Sequence, residues 1–246
     1  MPRSKRQKIV SLTKAESKGR EHKEKLVVDI QQSVDLYQYI YVYSVNNMRN
    51  SYLKQVRSKL NSSRFFFGRN KVMAKALGSG DADEYKENTS KISKFLTGEV
   101  GLLFSNDPLE QTIEFFNNYS ESDYAKTGFV STVSISIPAG ELIRGDAFIS
   151  SYLSSDQVMP IDDEKDTLYG SDVFPPNMEP QLRSLGLPTQ LVKGKIHLTN
   201  DFNLVNKGSI LNPKQAQLLK LFGVKLANFK VKLICCLKND GTFTKL

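Results

Sequence analysis

The run Tyr39 to Val45, YIYVYSV, constrains this chain more than any other stretch. Its β-branched and aromatic residues, broken only by one small serine, describe a strand covered on both faces rather than one with a solvent side. Such a strand requires helices above and below it, and the flanking sequence has the right period to supply them. From Glu21 to Tyr37, the apolar residues Leu26, Ile30, Val34 and Tyr37 recur at helical spacing. Leu53, Val56 and Leu60 mark a second buried stripe, leaving Arg49, Lys54 and Arg57 off it. Phe65 to Phe67 reads as a second strand with at least two of its rings in the core. Asn70 as N-cap and Gly78 as C′ residue then bracket a short helix over Lys71 to Leu77.

A helix over Glu84 to Leu96, a buried strand at Val100 to Phe104, and a helix to Tyr119 opened by Asp107 and Pro108 continue the alternation. Val133, Ile135 and Ile137 close it as a strand of period two. The fold class expected is therefore α/β, a layered sandwich domain over residues 21–135, preceded by a basic flexible arm over 1–20. A second, smaller α+β domain is expected over 136–246. Within it, about 144–176 reads as a mobile surface loop, because it is rich in serine and proline and carries the acidic run Asp162 to Asp166. Regular elements are expected again at Glu179 to Leu185, Gln190 to Val192, Lys195 to Leu198, and Pro213 to Phe222 after Asn212. The last pair, Phe229 to Leu237 and Thr242 to Thr244, is joined at Asp240-Gly241.

Several chemistries find no support in these residues. His22 and His197 lie far apart with no clustered ligands, so no metal site is expected. Three consecutive acids, Asp162 to Glu164, in a proline-flanked loop do not converge as rigid ligands do. Phosphate-binding and nucleophile-elbow glycine patterns are missing, and nothing argues for catalysis or a cofactor. Adjacent Cys235 and Cys236 suit a strand rather than a disulfide or redox motif. The apolar runs are too short to span a membrane, and the lysine-rich start is unlike a secretory signal, so a cytosolic or nuclear protein is expected.

Charge points to a partner. The net charge is +8, and the first 25 residues are its most basic stretch, with Arg3, Lys5, Arg6, Lys8, Lys14, Lys18, Arg20, Lys23 and Lys25. Such an arm can neutralise phosphates, serve as a nuclear import signal or keep the chain soluble; these readings remain open. It lacks the apolar face that binding to a membrane surface needs. Arg64 to Lys75, RFFFGRNKVMAK, adds geometry to charge, because it runs strand, glycine, helix start. Gly68 lets the main chain come close to a phosphate, the leading amides of the helix point outward, and Arg69, Lys71 and Lys75 surround them. Ordinary solvated lysines on a short helix are the competing reading.

Several stretches carry a resemblance. Pro2 to Arg6 with Val10 to Lys14, Asn47 to Ser51, Phe66 to Met73 and Gly98 to Phe104 closely resemble the mRNA turnover protein 4 family. So do Met178 to Arg183 with Gly186 to Thr189, Gln215-Ala216, Leu221 to Gly223 and Phe229 to Val231. Only the stretch from about Arg144 to Phe174 is longer than the family pattern. That family comprises nucleolar assembly factors of the large ribosomal subunit, paralogues of the ribosomal stalk-base protein, and not nucleases.

The resemblance implies binding to large-subunit rRNA at the stalk base of a pre-large-subunit particle, as a placeholder for the stalk protein, with release late in maturation. It implies a nuclear and nucleolar location with transient passage to the cytoplasm. Its implied partners are a neighbouring stalk-base ribosomal protein and a phosphatase-related release factor. In the family the element after the second strand faces RNA; here it reads Gly68-Arg69-Asn70-Lys71, with arginine in place of the usual first lysine, a change that keeps charge. The RNA contacts expected are Arg3, Lys5, Arg6, Lys8, Lys18, Arg20 and Lys23, then Arg49, Lys54, Arg57 and Arg64, and finally Gly68, Arg69, Asn70, Lys71 and Lys75. With the sequence ending at Leu246, the factor-recruiting tail of the stalk protein is not expected. The alternative function is a structural stalk-base protein of the mature large subunit.

Overall fold

A computed structural model describes residues 19–80, 82–153 and 173–246 of the 246-residue chain. The arm residues Arg3, Lys5, Arg6, Lys8 and Lys18, and the acidic run Asp162 to Asp166, lie outside the described residues. In chain order the elements are α1 (Arg20–Leu36), β1 (Tyr39–Asn46), α2 (Asn50–Lys59), β2 (Arg64–Phe66), α3 (Asn70–Leu77), α4 (Thr89–Ser93), β3 (Val100–Ser105), α5 (Leu109–Asn118) and β4 (Glu121–Asp123). There follow β5 (Ile135–Ile137), β6 (Gly140–Glu141), α6 (Gly145–Tyr152), α7 (Glu179–Ser184), β7 (Thr189–Val192), β8 (Lys195–Leu198), β9 (Phe202–Val205), α8 (Pro213–Phe222), β10 (Ala227–Lys238) and β11 (Phe243–Lys245). Two compact units divide them: residues 19–43, 61–107 and 233–246 in the first, and 44–60 with 108–232 in the second.

The first unit is built on strands in the order β11-β10-β1-β3-β2. β1 stands in the middle, and Ile40 to Tyr43 are all buried, as its β-branched and aromatic run requires. Ile30 and Val34 of α1 meet Met73, Ala76 and Leu77 of α3 in one core with Val42, Leu102, Phe104, Cys235 and Leu237. In the second unit a separate core gathers residues from Ala125 to Ala227. The Phe148 ring stacks on Phe222 with centroids 4.5 Å apart, and Phe174 meets Phe222 edge-on at 5.4 Å. Small antiparallel sheets, β5-β9 and β6-β8-β7, belong to this unit, and α8 opens with a reciprocal capping box between Asn212 and Gln215.

The structure departs from several expectations drawn from the sequence. The strand at Ile135–Ile137 pairs with β9 in the second unit and does not close the first sheet; period two identifies a strand but not its neighbour. The closing strands come instead from the end of the chain. Residues 233–246 belong to the first unit, so 136–246 is not one continuous domain. The helix expected over Glu84 to Leu96 shrinks to α4, because Asn88 turns to φ 64° and the Glu84 carboxylate accepts the amides of Asn88 and Ser90 ahead of it. Asp107 does not cap α5: Pro108 holds that position, while the Asp107 carboxylate accepts the Ser105 hydroxyl at 3.0 Å. Gly78 ends α3 at φ 99° and ψ 135°, outside the left-handed well expected of a C′ glycine. The surface loop expected from about 144 to 176 contains α6, whose Phe148 is fully buried, and ends near the buried Phe174.

Cys235 and Cys236 are both buried in β10. Burial pushes their thiols up to about 11 and about 12, respectively. A raised folded value favours the protonated form, so the stabilisation is complete below the unfolded thiol range and is lost as pH rises toward the folded values. The urea midpoint should stay level from about pH 6 to 8 and fall above about pH 9. At about pH 8 a thiol reagent should leave the native chain unmodified and label both cysteines in urea. Rapid labelling of the native chain would contradict this burial.

Candidate nucleic-acid interface

α1 packs on α3, and the residues that bury it continue as a stripe toward its start. Leu26, Lys23, His22 and Gly19 precede Ile30 and Val34 at offsets of three and four, so all share one face. Near the start of α1 this stripe lines a cleft of about 460 Å³ together with Arg20, Gly68, Arg69 and Val72. Gly68 is what allows the close approach: a Cβ there would lie 3.0 Å from Leu26 Cδ2 and 3.8 Å from Met73 Cγ. The backbone turns at Gly68 out of β2 and into α3, so a strand end, a glycine and a helix start meet at the cleft.

Of the expected contacts in this unit, the structure brings Arg20, Lys23, Gly68 and Arg69 to the cleft. Lys71 and Lys75 are exposed on α3, four residues apart on one face, and do not line it. The amides of Val72 and Met73 bond the Arg69 carbonyl at 2.8 and 3.1 Å, so those of Asn70 and Lys71 lead the helix at the positive end of its dipole. Arg69 occupies the N-cap position, so the expectation that Asn70 caps this helix is corrected. The Asn70 side chain donates to the Gly98 carbonyl at 2.8 Å, tethering the basic turn to the approach to β3. Asn70 thus helps to position its charged neighbours.

Two expected contacts are engaged within the fold. The Arg49 guanidinium donates to the buried Asp123 carboxylate and, at 3.1 Å, to the Tyr124 carbonyl. A guanidinium matched to a buried carboxylate has a structural task. Arg64 pairs with Asp29 at 3.5 Å and lies 5.0 Å from the centre of the Phe66 ring. Lys54 and Arg57 are exposed on α2, in the second unit, with Leu53 and Val56 buried behind them. Arg20 is 91% exposed and bonds Glu24 one turn along at 2.6 Å. The triple phenylalanine also departs from expectation: only Phe66 is buried, and Phe67 is 42% exposed beside Gly68, its ring stacked on Tyr43.

Sequence reasoning missed His22, Leu26 and Val72, together with Gly19, as parts of the cleft. A signal for the first two was present, since Gly19, His22, Lys23 and Leu26 continue the period already read from Leu26 to Val34. Among the described residues, no group of three or more histidine, cysteine or acidic side chains could hold a metal ion. No described helix is long and apolar enough to cross a membrane.

Comparison with known proteins places this geometry. Residues 18–121 match the family Ribosomal protein L10, and residues 125–224 match the insertion domain of the 60S ribosomal proteins of that group. The ribosome assembly factor mrt4 of Schizosaccharomyces pombe is 40% identical over 95% of this chain and 90% of its own length. The ribosome assembly factor MRT4 of Saccharomyces cerevisiae is 31% identical over 98% of this chain and 96% of its own. The chain belongs to the Mrt4 family of ribosome assembly factors. A more distant relative, the large ribosomal subunit protein uL10 of Neurospora crassa, is 22% identical over 84% of this chain and 56% of its own length. Within this Mrt4-family chain, the L10 match holds α1, Gly68 and α3, and with them the whole cleft. The insertion match coincides with the second core and explains why the chain returns to the first sheet after it. The relatives named are assembly factors and ribosomal proteins, and none is an enzyme family.

Proposed function

We propose that this chain acts in assembly of the large ribosomal subunit, binding rRNA at the stalk base as a placeholder for uL10 and leaving before uL10 is loaded. The observation that carries this reading is the exposed cationic surface of α3, with Arg69 and Lys71 at its start and Lys75 in its last turn, inside the stretch matched by Ribosomal protein L10. Cations around leading helix amides suit phosphate, fix position on RNA and imply no base reading of their own. Arg20 and Lys23 extend the same surface across the cleft, and Lys54 and Arg57 are further candidates on α2. The arm cations Arg3, Lys5, Arg6, Lys8 and Lys18 would add phosphate contacts and reach.

Two comparisons support the placeholder step. Similarity to uL10 runs through 84% of this chain, so the two would occupy one RNA site by the same surface. The Mrt4 relatives are matched over 90% and 96% of their lengths and uL10 over 56%, so uL10 carries much that those assembly factors do not. In this reading the chain works in the nucleus and nucleolus and passes to the cytoplasm with the particle. It lies beside a neighbouring stalk-base ribosomal protein and is displaced with the help of a phosphatase-related factor. A competition experiment tests it: a labelled stalk-base rRNA fragment should bind either this chain or uL10, the two excluding each other one for one. Formation of a ternary complex, with both proteins on one fragment, would sink the placeholder reading.

A further inference from the structure

We propose that the cleft beside Gly68 receives one unstacked nucleotide of the bound RNA, with His22 against its base and Arg20, Lys23 and Arg69 on the phosphates either side. This rests on the RNA-binding reading and deepens it. A surface built only to neutralise a backbone needs no recess, yet here the cations ring a cleft whose volume, about 460 Å³, falls in the range of roughly 300–1,000 Å³ typical of small-molecule sites. Its lining is mixed. Leu26 and Val72 are half-buried and supply apolar walls, while Arg20, Lys23 and Arg69 are exposed at the same cleft. An apolar wall beside cations matches a nucleotide, which presents a flat base and a charged phosphate on one covalent unit.

Fold geometry keeps the recess open. Any side chain at Gly68 would start 3.0 Å from Leu26 Cδ2, so that wall would have to give way. Asn70, held by the Gly98 carbonyl, fixes the turn that carries Arg69. His22 is exposed at the cleft and brings the only aromatic ring among its lining residues, and imidazole is among the rings on which unpaired RNA bases stack. The ligand class is therefore single-stranded or bulged RNA. A regular duplex keeps its bases stacked and offers none to a recess.

The test separates stacking from charge by the salt dependence of binding. Full-length chain and its variants are titrated with a stalk-base rRNA fragment at several salt concentrations. His22→Ala should weaken binding by about tenfold, as expected for loss of one stacked base, with the slope of log affinity against log salt unchanged. His22→Phe should restore the affinity, since it keeps a ring without a charge. Arg69→Ala should instead flatten the slope by roughly one unit. Unchanged affinity in His22→Ala beside a flattened slope in Arg69→Ala would overturn the nucleotide pocket while leaving RNA binding intact. Failure of the unaltered chain to bind the fragment would overturn the RNA-binding reading itself, and the pocket with it.

Discussion

Gly101→Ala is expected to destabilise the protein by about 3 kcal/mol, the upper end of the usual cost of overpacking a core. Gly101 lies in β3, between the neighbouring strands β1 and β2. A Cβ at this position would fall 2.5 Å from Tyr43 Cζ and 2.6 Å from the Phe66 carbonyl oxygen. The second obstacle is backbone, so a side-chain rotation cannot relieve it, and the Tyr43 ring is itself buried and packed against Phe65 at 5.8 Å. Relief requires β2 to move away from β3, out of the register that pairs Phe65 with Leu103. Because β2 leads directly into Gly68, the damage should reach the candidate interface as well. The measurement is the urea midpoint of the variant against the parent; a shift worth less than about 1 kcal/mol would show that the sheet yields there easily.

Replacing Arg69, Lys71 and Lys75 together by alanine should lower affinity for the stalk-base rRNA fragment by roughly 100-fold near 0.15 M salt, at about 1 kcal/mol for each lost contact. The slope of log affinity against log salt should flatten by up to about three units, because each cation that meets a phosphate releases a counterion. All three side chains are exposed, so stability should hardly change. Arg49→Ala serves as the opposite case. It leaves the buried Asp123 carboxylate without its guanidinium and should lower stability while keeping the salt slope. A triple variant with an unaltered slope would remove this turn from the RNA surface.

Much of the first layer was legible because its signals are local. The run Tyr39 to Val45 identified a strand buried on both faces, and the four-residue spacing from Leu26 to Val34 identified the helix beside it. What local period cannot carry is partnership. Ile135 and Ile137 alternate as a strand should, yet they pair with Phe202–Val205, an element with little alternation to announce it. Cap signals failed where a side chain found a better bond: Asn70 turned to the Gly98 carbonyl, and Asp107 to Ser105. Phe148 shows the same limit, since a serine-rich surrounding concealed a ring that stacks in the core. At the site, charge and glycine pointed to Gly68, Arg69, Lys71 and Lys75, but charge alone could not tell Arg49, committed to Asp123, from Lys54 and Arg57, which remain exposed. The cleft arises from the packing of α1 on α3, which no residue type announces.

The placeholder reading is tested most directly by sucrose-gradient fractionation of cell extract carrying the tagged chain, with RNA crosslinked in every fraction. Enrichment in nuclear precursors of the large subunit, crosslinks at the stalk-base rRNA, and absence from polysomes are the expected result. Presence throughout polysomes at subunit stoichiometry would contradict it and make the chain a component of the working ribosome.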